Sequence, residues 1–497
     1  MKAILLISIV ALTGNFTFSQ FQDINWVFGD SIGLNFSTEP PSFFETSILT
    51  YETNACISDS IGNLLFYTNG GQIWNKNHTL MSNGSGLDIP GYPLGNVTQG
   101  AIIIPVPLNE NIYYLIQKSY PYKYSVIDLN LEGSLGKVIE KNIQLQSGFN
   151  PYNQSQKMNL IKHGNGRDWW LVFPAYPLDG GVDGFGNPLI IYLFLINPYT
   201  IQLNTTFEGV IYEEQNSITT PGQCKFTLDG SMFGMAHGKS IILYLFDRCS
   251  GIFSHYYTID SIFTGNPSDC INGIEFSLDG TKLYATKSGG VGNGISKLYQ
   301  YDLAATDIKA SQVILRQDSL GYMYSSLQLA PNGKIYCAMP HDGVEYYSYD
   351  APQNLSLSVI NNPNEAGIAC DYEHLAQYLG GKRVTYGLPN MPNYNLGVLP
   401  KSACDTLGTA INNIQASSAF HIYPNPANEY IFISSDTYKT EKCLLELYNS
   451  TGTLANRYAD VVVNETIHLP KLNEGVYLAV ITTSSGKQFS EKLVIAE

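Results

Sequence analysis

One hairpin pattern recurs along this chain, and it limits the possible folds more than any other feature. Residues 223–236 read QCKFTLDGSMFGMA, residues 273–286 read GIEFSLDGTKLYAT, and residues 326–339 read SLQLAPNGKIYCAM. Each is a β-rich run, an Asp-Gly or Asn-Gly pair, and a second β-rich run. Asp229-Gly230, Asp279-Gly280 and Asn332-Gly333 predict type I′ turns, in which both central residues take positive φ. Looser copies occupy residues 55–67, 101–116 and 158–173, and a degenerate seventh starts near Gly367. The starts fall about 41–65 residues apart, close to the period of a four-stranded propeller blade. One blade cannot bury both of its faces, so several must stack radially. Seven copies predict a seven-bladed β-propeller over residues 23–395, and an error in one copy would make it six or eight. Residues 25–36 have strand character and are expected to complete the last blade, closing the ring.

Composition agrees with an all-β chain. Hydrophobic residues make up 44% and charged residues 14%, too apolar and too weakly charged for disorder. The 35 Tyr and 22 Phe outnumber the 27 Lys and Arg together, and aromatic side chains suit pleated, half-buried strands. The formal charge is −15, with no basic run. That distribution disfavours nucleic acid and anionic lipid as partners.

Residues 1–19 read as a signal peptide. Lys2 is the positive start, and residues 3–12 are an apolar run too short to span a bilayer. Thr17 and Ser19 are small where a signal peptidase reads, which places cleavage before Gln20. No later run is long enough to be an integral membrane segment. The cysteines show no C-x-x-C and no zinc spacing with His. Export permits disulfides, and Cys249 with Cys270 is the first pair to test, both lying near loops. Cys56, Cys224 and Cys337 sit in apolar strand patterns and are expected in the core.

Residues 396–419 are mixed in composition and read as a linker. Residues 420–497 form a second module of short strands at 430–433, 444–448, 466–469, 475–482 and 492–495, which predicts a small β-sandwich. Alternation predicts a core of Ile431, Ile433, Leu445, Leu447, Ile467, Leu469, Val476, Leu478, Val480 and Val494, with Glu446 and His468 outward.

This module resembles the type A C-terminal sorting domain of the Bacteroidetes type IX secretion system. The resemblance is carried by Tyr423-Pro424-Asn425-Pro426-Ala427, by Tyr448-Asn449-Ser450-Thr451-Gly452, by Gly475-Val476-Tyr477 and by Lys492-Leu493-Val494-Ile495. It implies the type IX machinery as a partner, with Tyr423, Pro424, Asn425, Pro426, Gly452, Gly475 and Tyr477 as the sorting-signal positions. It also implies passage through the periplasm to the cell surface or the medium. Residues 23–395 resemble a Bacteroidetes family of exported propeller proteins, through Trp26-Val27-Phe28-Gly29, Gly33-Leu34-Asn35-Phe36, residues 62–70 (GNLLFYTNG), Met81-Ser82-Asn83-Gly84, Gln99-Gly100 and Gly387-Leu388-Pro389-Asn390. That resemblance implies no established activity.

No chemistry stands out. Glu213-Glu214, and Asp269 near Glu275, are paired carboxylates of the type a glycosidase uses, and solvated loop acids are the plainer reading. Ser277-Leu278-Asp279-Gly280 has Gly directly after Asp, which is a turn requirement and not a sialidase-type box. Gly-x-Ser-x-Gly and His-Glu-x-x-His are absent. His237 and His341 each follow a second hairpin strand and are expected to be capped and satisfied. The Gly-rich run 179–190 lacks the acids of a calcium loop at its third and twelfth positions. Tyr120, Tyr122 and Tyr124, with Tyr322 and Tyr324, offer flat faces with polar tips that suit sugars or proteins. The expectation is a surface or secreted binding protein for a glycan or protein ligand, with no catalytic residues, metal or cofactor. The alternative is a glycan- or peptide-active hydrolase on the same scaffold. Deleting residues 420–497 should leave the first unit folded but strand it in the periplasm, as cell fractionation would read.

Overall fold

The chain divides into two units, Met1–Leu407 and Gly408–Glu497. The computed structural model describes residues 21–90, 95–146, 155–175, 190–208, 221–260, 270–289, 294–319, 321–341, 350–405, 420–435, 438, 442–449, 454–483 and 488–496. The expected signal peptide lies outside the described residues.

The first unit is all-β and propeller-like, a succession of small antiparallel sheets. Asn25–Phe28, Asp30–Asn35 and Ser42–Leu49 form a three-stranded sheet. Four-strand runs follow among the described residues, opening with Ala55–Ser58, Ala101–Val106, Asn159–Lys162, Cys224–Phe226, Cys270–Phe276 and Leu327–Leu329. Each strand pairs with the next in sequence, and the first two of these runs also meet at a parallel bridge between Ser82 and Lys137.

Burial falls from the opening strand of each run outward. Ala55–Ser58 and Ala101–Val106 are buried almost throughout, whereas the outer strands Ser42–Leu49 and Ile252–Ile259 expose much of their length. Strands covered on both faces read as continuous apolar runs, and strands with one wet face alternate. The last run packs on the first sheet through an aromatic trio. Tyr336 meets Trp26 and Phe36 edge-on at 5.6 and 5.3 Å between ring centres, and Trp26 and Phe36 lie 4.6 Å apart.

Three expectations need correction here. Residues 25–36 do not complete the last sheet; they open a sheet of their own. Nor is the stretch at Gly367 a seventh hairpin. Gly367–Cys370 is a 3₁₀ turn, and Tyr372–Tyr378 is the outer strand of the run that opens at Leu327. The hairpins also turn differently from expectation. Only the glycines are left-handed: φ is 75° at Gly230, 71° at Gly280 and 78° at Gly333, while Asp229, Asp279 and Asn332 are not among the positive-φ residues. The carbonyls of Thr227, Ser277 and Ala330 each accept from the glycine three residues on, so the turns are type I followed by a left-handed glycine. The aspartates serve as acceptors. Asp229 Oδ1 takes the Ser231 N–H and the Thr227 hydroxyl, and Asp279 Oδ1 takes the Thr281 N–H and the Ser277 hydroxyl.

After the last sheet the chain returns through the space enclosed by the opening strands. The Thr385 hydroxyl donates to Thr50 O at 2.9 Å, and the Tyr386 carbonyl accepts from Ser325 and Ser326. Gly387 lies so close to Glu52 that a Cβ there would sit 1.9 Å from the Glu52 carbonyl oxygen. The Asn390 N–H donates to Asn54 O at 3.0 Å, and its amide Nδ2 donates to Ala101 O and Met158 O at 3.2 and 3.1 Å. Its Oδ1 accepts from Gln99 Nε2 at 3.2 Å, and Gln99 in turn exchanges both of its amide groups with the Cys224 backbone. Further on, the Tyr394 hydroxyl donates to Ile103 O at 2.8 Å.

The segment expected to be a linker starts out bound to this unit. Arg248 donates to Gly397 O at 2.6 Å, Leu399 N–H donates to Gly164 O, and Cys404 forms a disulfide with Cys249. The expected partner Cys270 has no disulfide, and its thiol donates to Asn272 Oδ1 at 3.1 Å. Cys249 sits in the turn before Ile252–Ile259, where the returning chain passes, and no spacing in the sequence marks that meeting. Cys56, Cys224 and Cys337 are buried.

The second unit has a sheet of His421–Tyr423, Tyr430–Ser434 and Thr466–His468, and another ordered Leu454–Val462, Lys442–Tyr448, Gly475–Thr482, Gln488–Ile495. Ile431, Ile433, Leu445, Leu447 and Ile467 are buried in one shared cluster, and Leu469 packs against it half-buried. Gly475–Thr482 takes the opposite phase from the one expected. Tyr477, Ala479 and Ile481 face inward, while Val476 and Leu478 are each 48% exposed and Val480 is half-buried. Leu493 and Ile495, not Val494, line the core in the neighbouring strand. Residues 475–482 are apolar on both faces, so alternation alone cannot choose a phase; pairing of Leu445 with Ile481 and Leu447 with Ala479 does.

Three substitutions test this account. Gly280→Ala should cost about 1 kcal/mol through its left-handed φ alone, because a new Cβ meets only Thr227 at 3.5 Å. Gly230→Ala should cost more, because its Cβ would also meet Arg248 Cδ at 2.6 Å. Equal losses in chemical unfolding would count against the packing described. Asn390→Leu should cost about 2–4 kcal/mol by the same measurement, since it strands the Ala101 and Met158 carbonyls in a dry interior.

Candidate functional site: a cavity at the ends of the inner strands

The same opening strands that bury the returning chain also leave a cavity of about 1100 Å³ at one of their ends. Its wall is made where these strands run into their turns, at residues 159–161, 225–229, 275–278 and 328–331. Phe21, Asp23 and Ile24 with Asn35 to Ser37 form one part of the lining, and Met391 to Asn393, Asn395 and Leu396 of the returning chain contribute another.

A buried ion pair ties three runs together in that wall. Lys225 Nζ lies 3.0 Å from Glu275 Oε2 and also donates to Gln328 Oε1. Glu275 is further held by the Phe276 N–H on Oε1 and the Leu329 N–H on Oε2, each at 3.0 Å. Both side chains are 6% exposed, so each charge needs the other in place. Lys225, Glu275 and Gln328 stand at the same position of the three hairpin copies, five residues before the turn glycine. Aligning the copies was the signal that could have found them; reading each copy alone shows only a polar residue in an apolar strand.

Asp23 differs from the other acids of the lining. Asp229 is held by its turn: burial pushes its carboxyl up, but hydrogen bonds from Thr227 and Ser231 outweigh that and keep it below its ordinary value. Asp23 has no ion pair among the described residues, and its carboxyl takes only its own backbone N–H. It keeps some solvent contact, yet protein surrounds it closely enough that enclosure pushes its carboxyl up to about 6. Asn395 Oδ1, also in the lining, is buried without a hydrogen-bond partner among the described residues.

The residues singled out from the sequence are distributed differently. Glu213, Glu214 and Asp269, and the Gly-rich run up to residue 189, lie outside the described residues. Glu275 is in the cavity wall, but its oxygens are occupied. Asp279 serves its turn. Tyr122 is fully buried and stacks on Phe173 at 4.0 Å, and Tyr324 is fully buried with its hydroxyl on Asp318. Tyr120 is 57% exposed, and Tyr124 and Tyr322 are half-buried; none of these tyrosines lines the cavity. His237 is buried, and desolvation pushes its imidazole down to about 3, so it is neutral. Among the described residues, no three His, Cys, Asp or Glu side chains group as metal ligands. Asp23 and Asn395 were missed because nothing local in the sequence marks them.

In the second unit the sorting motifs meet. Tyr423 ends its strand half exposed, and after Pro424 the Asn425 side chain behaves like an added strand residue. Its Nδ2 donates to Lys492 O at 2.6 Å, and its Oδ1 accepts from Val494 N–H at 2.8 Å. Beyond Pro426, Ala427 pairs with Ile495. Gly475 also pairs with Ile495, at the start of its strand, and the Tyr477 hydroxyl donates to Asn473 O. Gly452 lies outside the described residues.

Comparison with known proteins bears on the two units unequally. Residues 421–496 match the secretion system C-terminal sorting domain. The protein is therefore exported through the type IX secretion system to the cell surface or beyond, and among the described residues no helix is long and apolar enough to cross a membrane. No curated protein matches. Among solved structures, the extracellular domain of a one-component system from B. thetaiotaomicron is 13% identical at a TM-score of 0.39, covering 96% of this chain and 57% of that one. The chain thus spans little more than half the length of that relative. The β-propeller domain of Cps50 (Swd1) from Myceliophteria thermophila is 10% identical at a TM-score of 0.35, covering 64% of this chain and 93% of that one. Neither likeness says what this chain binds.

The raised carboxyl of Asp23 makes a prediction with a definite sign. A carboxyl whose pKa is higher in the folded state stabilises the fold below its unfolded value, and that contribution disappears as pH rises through about 6. Asp23→Asn should therefore raise stability at pH 8 by about 1–2 kcal/mol, a figure reduced because the group keeps some solvent contact. At pH 3.5 the two proteins should unfold alike. A variant less stable at pH 8 would contradict the enclosure argument.

Proposed function

We propose that the protein is an extracellular binding protein that performs no chemistry on its ligand. In this reading the first unit is a closed seven-bladed propeller, with the three-stranded sheet as one blade, and the second is a β-sandwich that serves as its export address. A signal peptide at residues 1–19 would supply the earlier step into the periplasm. The observation that carries the binding role is the cavity of about 1100 Å³, whose lining mixes amide and acid groups with apolar edges. Concave sites of this makeup take ligands or chain ends, whereas a protein partner of ordinary size needs a broad matching face. A glycan end is therefore favoured over a folded protein.

The hydrolase reading would draw on Asp23, whose enclosed carboxyl, raised to about 6, suits the acid of an acid–base pair. The other carboxylates of the lining are engaged, Glu275 by Lys225 and two N–H groups, and Asp229 by its turn. Ser37 is exposed at the cavity, so Ser37→Trp should fill the mouth without disturbing the core. The secreted protein should capture glycans on an array, and Ser37→Trp should lower capture at least tenfold. Capture that ignores Ser37→Trp would sink the cavity as the site, and reproducible hydrolysis lost in Asp23→Asn would replace binding with catalysis.

A further inference from the structure

The cavity's charges are unbalanced in a way that selects a ligand. Its lining holds three carboxylates, Asp23, Asp229 and Glu275, against one ammonium, Lys225. Lys225 is committed to Glu275 and Gln328, and Asp229 to Thr227 and Ser231. What remains for a ligand is the acceptor capacity of the Asp23 carboxylate. Phe21 and Phe36 stand in the same lining, and aromatic faces attract cations.

We infer that the cavity takes a cationic group, an ammonium or guanidinium carried on an apolar or sugar body, with Asp23 as its counter-charge. An anionic ligand would meet net negative charge and no uncommitted cation among the described lining residues. A neutral ligand would leave the Asp23 charge enclosed without a partner at neutral pH. The carboxyl pushed up to about 6 fits this reading, since a site that waits for a cation keeps an uncompensated acid. Among the described residues, the Cys56 thiol and the Tyr394 hydroxyl feel the Asp23 charge; burial raises both, so both stay protonated and neutral through the physiological range. Cation binding should accordingly strengthen as pH rises from 5 to 7 and then level off.

This inference rests on the cavity being the ligand site, and the experiment separates the two. Three probes of similar shape, 2-phenylethylamine, 2-phenylethanol and 3-phenylpropanoate, are titrated into the secreted protein at pH 7.5 and followed by ligand-observed NMR. The amine should bind at least tenfold more tightly than the alcohol, and the carboxylate more weakly than either. Asp23→Asn should bring the amine to the level of the alcohol while its melting temperature holds or rises. Equal affinity of amine and alcohol, including no binding of either, overturns the inference, as does a tenfold amine preference that survives in Asp23→Asn. If glycan capture remains sensitive to Ser37→Trp in that case, only the charge preference is lost. If capture ignores Ser37→Trp as well, the cavity reading falls with it.

Discussion

The side-chain amide of Asn390 connects parts of the chain that are otherwise far apart. It donates to Ala101 O in one opening strand and to Met158 O just before another, and accepts from Gln99, which extends the connection to Cys224. An amide suits the place because it carries two donors and an acceptor in one fixed plane. Gly387 lets the returning chain come close enough for this to happen. Backbone groups at the inner edges would otherwise face a dry interior unpaired, at a cost of about 1–3 kcal/mol each. The Cys249–Cys404 disulfide then fastens the end of the same segment to the outer part of a sheet.

This arrangement gives a physical meaning to residues that first stand out only by resemblance. Gln99, Gly387 and Asn390 are parts of the inner connection, and Trp26 and Phe36 are where the first sheet meets Tyr336 of the last. They explain how the scaffold holds together. The groups proposed to meet a ligand lie elsewhere, at the strand ends. There the interior separates its charges into two kinds. Lys225 and Glu275 satisfy each other and fix neighbouring runs, while Asp23 is left enclosed and uncompensated. A carboxylate kept at some loss of stability is the pattern of a group held for an interaction outside the fold.

Much of the architecture was legible in residue order. The paired strands showed as β-rich runs and the turns between them as Asp-Gly and Asn-Gly pairs, because each of these depends on neighbours a few residues away. The turn type was not legible, since Asp-Gly serves both a type I′ turn and a type I turn with a left-handed glycine, and side-chain hydrogen bonds at Asp229 and Asp279 favour the second. The phase of Gly475–Thr482 was not legible either, because both of its faces are apolar.

What the sequence determined by itself was the all-β class, the repeat, and the address at residues 421–496, all of them local patterns or contiguous motifs. What only the tertiary structure decided was every feature that joins distant segments: Cys249 with Cys404, Asn390 with Ala101 and Met158, and Asp23 in one cavity with Asn395. Those meetings depend on the path by which the chain returns through its own sheets, and no local periodicity encodes that path.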